Sequence, residues 1–249
     1  MNIIAIIPAR YQSTRFPGKP LVMIQGKSMI RRVVEQTQKA KGIAKVVVAT
    51  DDPRIFDHVK SFGGNVILSR ENHLNGTSRC LEALEILDSS SDSPIEAVIN
   101  VQGDEPGIQP EQIEQIVTLL NQPMVEIATL IKKIESEETL FNPNVVKVIF
   151  GEDHHALYFS RQAIPFLRGV EKKQWINNHS FYKHIGMYGY KSGILKQIMK
   201  LSPGKLEQAE SLEQLRWLEN GLSIHTQITE YESVGIDTPE DLQKLTNIF

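Results

Sequence analysis

Cationic and hydroxyl side chains crowd a loop near the N-terminus. Residues 8–20 contain two arginines, one lysine and two hydroxyl residues: Arg10, Ser13, Thr14, Arg15 and Lys19. Guanidinium, ammonium and hydroxyl groups are the partners that a triphosphate requires. A solvated basic loop has the same composition. The apolar run at 3–7 directly precedes this loop, and a loop that follows a buried first strand opens onto the ligand crevice of an α/β sheet, so phosphate binding is favoured.

Two aspartates follow predicted strands and offer ligands for a metal ion. Asp104 comes after a strand predicted over 96–101, and Asp237 lies between a strand predicted at 223–229 and the start of a helix at Thr238. Magnesium prefers one or two carboxylates together with phosphate oxygens and water. A turn aspartate that bonds its own backbone and an aspartate beside a helix cap fit the same positions. A magnesium site requires that the two carboxylates meet, which the sequence leaves open.

Three other segments have patterns that fit either a binding site or an ordinary structural role. Residues 75–79 precede a helix, where backbone amides hold a base or ribose or where capping alone explains the composition. Residues 182–190 alternate aromatic and small residues, as in a strand that faces a polar pocket or has a polar edge. Glu210 and Gln214 are one turn apart on a helix predicted over 205–219, on a face that binds ligand or meets solvent.

Composition and missing motifs exclude several classes of protein. The chain has 249 residues and a formal net charge of −3, so it lacks the basic excess of nucleic-acid-binding domains. It has no P-loop, no G-x-G-x-x-G, no G-x-S-x-G and no zinc-type histidine spacing. A single cysteine, Cys80, and apolar runs too short to cross a membrane predict a protein of the reducing cytoplasm without a membrane partner.

Apolar runs and helical patterns alternate through the first half of the chain. The predicted strands lie at 3–7, 45–50, 65–68 and 96–101, and the predicted helices at 28–41, 55–62, about 77–87 and 110–121. This alternation is typical of a doubly wound, mostly parallel α/β sheet. In the second half, strands predicted at 144–150, 156–160 and 183–190 have less helix between them. They predict a smaller mixed or antiparallel extension.

The whole chain resembles the 3-deoxy-manno-octulosonate (Kdo) cytidylyltransferases, also called CMP-Kdo synthetases. The resemblance rests on six segments in that family's order: IPARYQSTRFPGKP at 7–20, VQGDEP at 101–106, FNPNVVK at 141–147, ALYFSR at 156–161, KHIG at 183–186 and VGIDTPEDL at 234–242. The first segment is shared loosely with other sugar nucleotidyltransferases, whereas the ordered set is specific.

The resemblance implies a Rossmann-like nucleotidyltransferase fold and the magnesium-dependent reaction CTP + Kdo → CMP-Kdo + pyrophosphate, which serves lipopolysaccharide synthesis in Gram-negative bacteria. It implies one domain over 1–249. Within that domain we expect a nucleotide-binding core at about 1–125 and 205–249, and a sugar-binding and dimerisation extension at about 126–204. The expected partners are CTP, an acidic eight-carbon sugar and a second copy of the chain in a homodimer.

The resemblance also implies roles for individual residues. The residues expected to bind CTP are Pro8, Ala9, Arg10, Ser13, Thr14, Arg15, Lys19, Thr50, Asp51, Arg70, Gly76, Thr77, Arg79 and Gln102. Those expected to bind the sugar acid are Gln102, Arg161, His184, Tyr188, Glu210 and Gln214. The expected catalytic residues are Arg15, Lys19, Asp104 and Asp237, of which the two aspartates hold Mg²⁺.

Two alternatives stay open at the level of sequence. One is a cytidylyltransferase for 8-amino-Kdo or a sialic acid, although Glu105 resembles the ordinary Kdo enzymes. The other is a non-catalytic nucleotide-binding protein, against which the presence of both Asp104 and Asp237 speaks. Two positions beside the predicted site depart from the family pattern. Ser78 stands where an acidic residue is usual, and Gly107 where a bulkier apolar residue is usual.

Overall fold

The computed structural model describes residues 1–12, 16–73, 75–91, 93–232 and 235–245. Its strands are β1 (Ile3–Ala9), β2 (Met23–Ile24), β3 (Lys27–Ser28), β4 (Lys45–Thr50), β5 (Asn65–Leu68), β6 (Ala97–Asn100), β7 (Ile127–Lys133), β8 (Lys147–Phe150), β9 (Ala156–Ser160), β10 (Tyr182–Lys191) and β11 (Ile224–Ile228).

The α-helices are α1 (Met29–Thr37), α2 (Pro53–Ser61), α3 (Gly76–Asp88), α4 (Pro110–Leu120), α5 (Glu137–Phe141), α6 (Trp175–Asn178), α7 (Ser192–Ile198), α8 (Lys205–Glu210) and α9 (Gln214–Glu219). Short 3₁₀ helices span Lys19–Leu21, Lys172–Gln174 and Pro239–Leu245. Ser28, at the predicted start of the first helix, caps α1, because its side-chain oxygen accepts a hydrogen bond from the backbone N–H of Arg31.

One large sheet organises the described residues. Its main path has the strand order β11-β7-β10-β6-β1-β4-β5, in which β10 alone runs opposite to the other strands. β8 pairs antiparallel with both β10 and β9, which forms a small extension at one side. The predicted fold class, a mostly parallel doubly wound sheet with a smaller antiparallel extension, is confirmed.

The core covers both faces of this sheet. Ile3, Ala5 and Ile7 of β1 pack with α1, α2 and α4 on one face, whereas Ile4 and Ile6 pack with α3, α7 and α9 on the other. Alternate side chains of a strand point to opposite faces, so a strand covered on both sides must be apolar throughout. The apolar run at the N-terminus therefore forms a central strand, and the loop after it emerges at the carboxyl edge of the sheet.

The sequence prediction omitted β7, although this strand lies inside the sheet between β11 and β10. Residues 127–131 are all buried. A short continuous apolar run has no period that distinguishes a buried strand from a helix segment. The predicted division of the chain at about residues 126 and 204 stays a prediction. β7 and the second half of β10 come from that range and are hydrogen-bonded into the main sheet.

The single helix predicted over 205–219 is wrong, because the structure divides it into α8 and α9. Ser211 lies between them in the left-handed region, with φ 53° and ψ 49°. The Arg161 guanidinium donates to the backbone carbonyl oxygens of Glu210 at 2.7 Å and of Ser211 at 3.4 Å. These tertiary contacts compensate carbonyl groups that a continuous helix would have used internally. Glu210 and Gln214 therefore do not share one face of one helix.

A buried lysine supports this region. Lys147 is fully buried, and its ammonium donates to the backbone carbonyl oxygens of Asn142 at 2.9 Å, Val145 at 2.6 Å and Arg161 at 2.5 Å. Burial lowers the pKa of the Lys147 ammonium, while the nearby Glu210 carboxylate acts in the opposite direction. One side chain thus joins the loop before β8 to the residue after β9.

We expect Lys147→Met to lower the free energy of unfolding by about 2–4 kcal/mol, because it leaves buried carbonyl oxygens without a donor. Urea unfolding measures the change. Lys133→Met is a matched control, since Lys133 is exposed at the end of β7, and we expect it to change the unfolding free energy by less than about 0.5 kcal/mol. Equal midpoints for Lys147→Met and the parent protein would contradict this role for the ammonium.

Candidate active site

A cavity of about 290 Å³ opens where the loops after β1, β5 and β6 meet the segment before the last 3₁₀ helix. Its lining residues are Pro8, Ala9, Arg10, Lys19, Pro20, His73, Asn75, Gly76, Arg79, Gln102, Gly103, Asp104 and Asp237. Ligands of doubly wound sheets bind at the carboxyl ends of the strands, and this cavity lies there. Its volume is close to the lower end of the range for small-molecule sites, roughly 300–1,000 Å³.

Lys19 brings the two predicted metal ligands together. Its ammonium lies 2.7 Å from Asp104 Oδ2 and 3.6 Å from Asp237 Oδ1. The backbone N–H of Ile236 donates to the carbonyl oxygen of Asp104 at 2.9 Å, which holds the two segments side by side. The question that the sequence left open is thus answered, since both carboxylates lie within reach of one cation.

Gly103 allows the loop after β6 to press against the loop after β1. A Cβ atom at this position would lie 2.7 Å from the carbonyl oxygen of Pro8, closer than side-chain carbons come to backbone oxygens. Glycine is therefore required for this approach. It places Gln102 and Asp104 on the same cavity wall as Pro8.

Only some of the residues predicted to surround the nucleoside lie at the cavity. Arg79 is almost fully buried and donates to Asp51 Oδ2 at 3.1 Å. Gly76 and Arg79 line the cavity, whereas Thr50 and Thr77 are buried and do not line it. Arg70 does not line it: its side chain is 79% exposed and pairs with Glu82 at 2.9 Å. The predicted phosphate-binding residues Ser13, Thr14 and Arg15 lie outside the described residues.

Arg161 and Glu210, both predicted to bind the sugar acid, are hydrogen-bonded to each other. The Glu210 carboxylate accepts hydrogen bonds from Ser160 Oγ at 2.6 Å and from the backbone N–H of Arg161 at 2.9 Å. Neither residue lines the cavity. Their sugar-binding role stays a prediction, and in this structure the Glu210 carboxylate positions Arg161.

Of the other predicted sugar residues, His184 and Tyr188 lie on β10, and Gln102 is hydrogen-bonded to that strand. Gln102 lines the cavity and its Nε2 donates to the carbonyl oxygen of Gly186 at 2.8 Å. The His184 Nε2 lies 2.9 Å from Thr129 Oγ1. Tyr188 is buried, and its hydroxyl has no hydrogen-bond partner within the described part of the chain. Gln214 is also buried, so Gln102 is the member of this set that reaches the cavity surface.

The environment of His184 predicts a pH dependence of stability. Desolvation lowers the pKa of its imidazole from 6.5 to about 3. The unfolded chain gains this proton near pH 6.5 and the folded protein only near pH 3, so the unfolding free energy falls as the pH is lowered through that window. Between pH 7 and pH 5 we expect a contribution of about 2 kcal/mol.

Urea unfolding of His184→Gln at pH 7, 6 and 5 checks this expectation, because the variant should lose that part of the pH dependence. His179→Gln is the control, since His179 is exposed and its replacement should keep the parental slope. An unchanged slope in His184→Gln would contradict the assignment.

Glu213 is a functional candidate that the sequence analysis missed. Its carboxylate accepts hydrogen bonds from Asn75 Nδ2 at 2.9 Å and from Thr77 Oγ1 at 2.8 Å. Burial raises the pKa of the Glu213 carboxylate, although these hydrogen bonds oppose the shift. Glu213 thereby joins the first turn of α3 to the segment that carries Gln214. The sequence places Glu213 directly before Gln214, a predicted sugar-binding residue. The continuous helix predicted over 205–219 gave no reason to expect its contacts with α3.

Four residues that line the cavity were not among the predicted site residues: Pro20, His73, Asn75 and Gly103, although Asn75 begins the segment 75–79 that the sequence offered for a base or ribose. Among the described residues, no group of three or more His, Cys, Asp or Glu side chains is arranged to hold a metal ion. A site of two carboxylates completed by phosphate oxygens is the arrangement that magnesium uses.

No helix in the described ranges is long and apolar enough to cross a membrane.

The fold and the cavity together define a nucleotidyltransferase-type α/β protein. Residues 4–224 match the family model described as cytidylyltransferase. Over 248 residues the chain is 57% identical to the 3-deoxy-manno-octulosonate cytidylyltransferase of Cytophaga hutchinsonii, with 99% of this chain and 97% of that protein covered. It is 50% identical over 248 residues to the enzyme of the same name from Parabacteroides distasonis, with 98% and 96% covered.

A solved structure agrees with these relatives. The structure of CMP:2-keto-3-deoxy-manno-octonic acid synthetase complexed with CTP superimposes with a TM-score of 0.89 at 38% identity, covering 98% of this chain and 97% of that one. The chain therefore belongs to the 3-deoxy-manno-octulosonate cytidylyltransferase family of nucleotidyltransferases.

Proposed function

We propose that this protein transfers CMP from CTP to Kdo and releases pyrophosphate. The observation that carries this proposal is the contact of Lys19 with both Asp104 and Asp237 in the cavity at the carboxyl edge of the sheet. Two carboxylates and a lysine in one cavity suit a reaction in which phosphate charge must be neutralised in place. The family to which the chain belongs supports CTP and Kdo as the substrates.

The residues of the cavity fit a magnesium ion. Lys19 already provides a cation for Asp104 and Asp237, which shows that this pair of carboxylates attracts positive charge. We propose that the two aspartates hold Mg²⁺ when CTP is bound. The ion would neutralise phosphate oxygens and lower the pKa of the attacking sugar hydroxyl. Lys19 would neutralise charge on the leaving pyrophosphate, and Arg10, which also lines the cavity, would bind the triphosphate chain.

The attack itself requires no protein nucleophile. The anomeric 2-hydroxyl of Kdo approaches the α-phosphorus in line, and the bond to pyrophosphate breaks as the new phosphate ester bond forms. Orientation of the two substrates and stabilisation of the phosphate charge together supply the rate enhancement in such a reaction. We propose that the planar guanidinium of Arg161 pairs with the sugar carboxylate, since a carboxylate accepts two parallel hydrogen bonds from that group.

Two buried polar atoms support a sugar site near β6 and β10. Asn100 and Tyr188 are opposite each other in this strand pair. Asn100 Oδ1 and the Tyr188 hydroxyl are buried without hydrogen-bond partners in the ranges that the structure describes. An unsatisfied buried polar atom costs about 1–3 kcal/mol, so such atoms indicate a ligand or an ordered water. Sugar hydroxyls are donors and acceptors of the required kind.

We further propose that the protein is a homodimer formed through the antiparallel extension. Within the described strands β9 pairs with β8 alone, and Leu157 on β9 is 61% exposed. Phe166 is 71% exposed nearby in sequence, and an apolar groove of about 430 Å³ lies beside β8. An exposed edge strand with large apolar side chains is typical of an interface. Light scattering of the purified protein tests the mass.

We propose the cytoplasm as the place of this reaction, and lipopolysaccharide synthesis as the use of its product. CTP is the nucleotide that the family resemblance implies. A charged CMP-sugar made from it requires a later glycosyl transfer step to enter a polysaccharide or lipid.

The direct test is formation of CMP-Kdo. Purified protein is incubated with Kdo, Mg²⁺ and either CTP or UTP, and the product is identified by mass spectrometry. We expect a product of the mass of CMP-Kdo with CTP and at most a trace of the UMP analogue with UTP. Binding of CTP without any sugar nucleotide product would overturn the proposed transfer and leave a nucleotide-binding protein.

A further inference from the structure

His73 lines the cavity on the segment that leads into α3, and its ring is held from two sides. Its side chain is 11% exposed. The Nε2 atom makes a short hydrogen bond with the Glu82 carboxylate, and Nδ1 lies 3.1 Å from Ser78 Oγ. Nothing in the proposed reaction uses this network, although it forms part of the wall of the substrate cavity.

Glu82 is a fixed anchor for this ring. Its side chain is 12% exposed and also accepts hydrogen bonds from the backbone N–H of Arg70 at 3.0 Å and from Arg70 Nε at 2.9 Å. Burial alone would raise the pKa of the Glu82 carboxyl, but the hydrogen bonds from His73 and Arg70 outweigh it and lower the pKa. Glu82 is therefore a carboxylate at neutral pH, and His73 Nε2 donates to it.

The second ring nitrogen is also used within the protein. Ser78 Oγ lies 3.1 Å from Nδ1 and 3.0 Å from the carbonyl oxygen of Asn75, so its hydroxyl proton turns to either partner. If it points to Nδ1, that nitrogen accepts the hydrogen bond; if it points to Asn75, Nδ1 donates to Ser78. In both arrangements neither ring nitrogen is left for a ligand. The parts of the ring that His73 has left to offer the cavity are therefore its face and its carbon edge.

This surface is suited to a flat or apolar group rather than to a phosphate. The segment of His73 also provides Gly76 and Arg79 to the cavity, and it closes on the loop after β1. A Cβ atom on Gly76 would lie 3.3 Å from Pro8 Cγ. The phosphate-binding cation Lys19 and the two aspartates belong to other segments.

We propose that His73 is a further substrate-binding residue, whose ring contacts the nucleoside of CTP, and that Glu82 and Ser78 are positioning residues for that ring. This inference rests on the proposed function in one respect, since it takes CTP as the nucleotide. It does not depend on the identity of the sugar.

Equilibrium binding without sugar tests the inference. Isothermal titration of the full-length protein with CTP and with pyrophosphate, each with Mg²⁺, gives two dissociation constants. For His73→Ala we expect CTP to bind about tenfold more weakly, because one ring contact with the base or ribose is lost. The Kd for pyrophosphate should be unchanged. An unchanged Kd for CTP would overturn the proposal. Equal weakening of both ligands would overturn it too, by assigning His73 to the phosphates.

A second set of variants separates positioning from a structural role. Glu82→Gln should weaken CTP about threefold with kcat at saturating CTP unchanged. Glu85→Gln, on the exposed side of the same helix, should leave Kd unchanged. Adding Ser78→Asp to Glu82→Gln places a carboxylate beside Nδ1 and should restore the affinity. Failure of this rescue, or parental affinity in Glu82→Gln, would contradict the role of Glu82.

The two proposals fail in distinguishable ways. If the parent protein binds CTP, His73→Ala binds it more weakly and no Kdo is turned over, the proposed function is overturned and the nucleoside contact remains. If Kdo is turned over and His73→Ala binds CTP as tightly as the parent, the nucleoside contact is overturned and the proposed function remains.

Discussion

Asp104→Asn lowers the turnover of CMP transfer by about a thousandfold or more while the protein stays folded. The carboxylate is one of two proposed magnesium ligands, and an amide neither carries the charge nor binds the ion comparably. Preorganised charge at the reacting phosphate supplies several kcal/mol to reactions of this type, which corresponds to losses of this size. The Asp104 side chain is 33% exposed, so its pair with Lys19 contributes at most about 1 kcal/mol to stability.

Pyrophosphate release under saturating CTP and Kdo measures the turnover, and urea unfolding measures the stability. Asp153→Asn is the matched control, because Asp153 is 66% exposed in the loop between β8 and β9. We expect turnover within about twofold of the parent for that change, as is usual for surface positions. Near-normal turnover of Asp104→Asn would remove Asp104 from the metal site.

Lys19→Met should lower kcat/KM for CTP by about a hundredfold or more, because the ammonium that neutralises the leaving pyrophosphate is lost. The same change should tighten the binding of Mg²⁺ to the protein without nucleotide. In the parent protein the Lys19 ammonium competes for Asp104 and Asp237, at 2.7 and 3.6 Å. Its removal leaves two carboxylates that repel each other until a cation binds.

Titration with Mg²⁺ and steady-state kinetics measure the two effects on the same sample. Lys183→Met is the matched control, because Lys183 is 17% exposed and paired with Glu232, much as Lys19 is 13% exposed and paired with Asp104. Its kcat/KM should stay within about threefold of the parent. A Lys19→Met protein with weaker magnesium binding than the parent would contradict the competition between ammonium and metal.

The parts of the fold that follow from local pattern were predictable. The apolar run of β1, the start of α1 at Ser28 and the alternation of strands with helices are all encoded within short windows of sequence. The position of the cavity then follows from the general behaviour of parallel sheets. β7 escaped prediction because a short buried strand without alternation resembles a buried helix segment.

The contacts between distant segments could not be predicted from single residues. The pairing of Asp104 with Asp237 through Lys19 requires three segments far apart in the chain to meet. The break at Ser211 has no local signal, because Arg161 compensates the freed carbonyl oxygens from another part of the chain. The partners of Glu213 are likewise distant in sequence, so only the folded chain shows that Glu213 supports the cavity.

Pyrophosphate release from purified protein with CTP and Mg²⁺ shows directly whether the cavity carries out cytidylyl transfer. Parallel reactions contain Kdo, 8-amino-Kdo or a sialic acid, each with and without EDTA. We expect release with Kdo that EDTA abolishes, and much slower release with the other two acids. Release with another acid alone would move the enzyme to a sister function on the same site. Absence of release with all three would contradict the claim that this cavity carries out cytidylyl transfer.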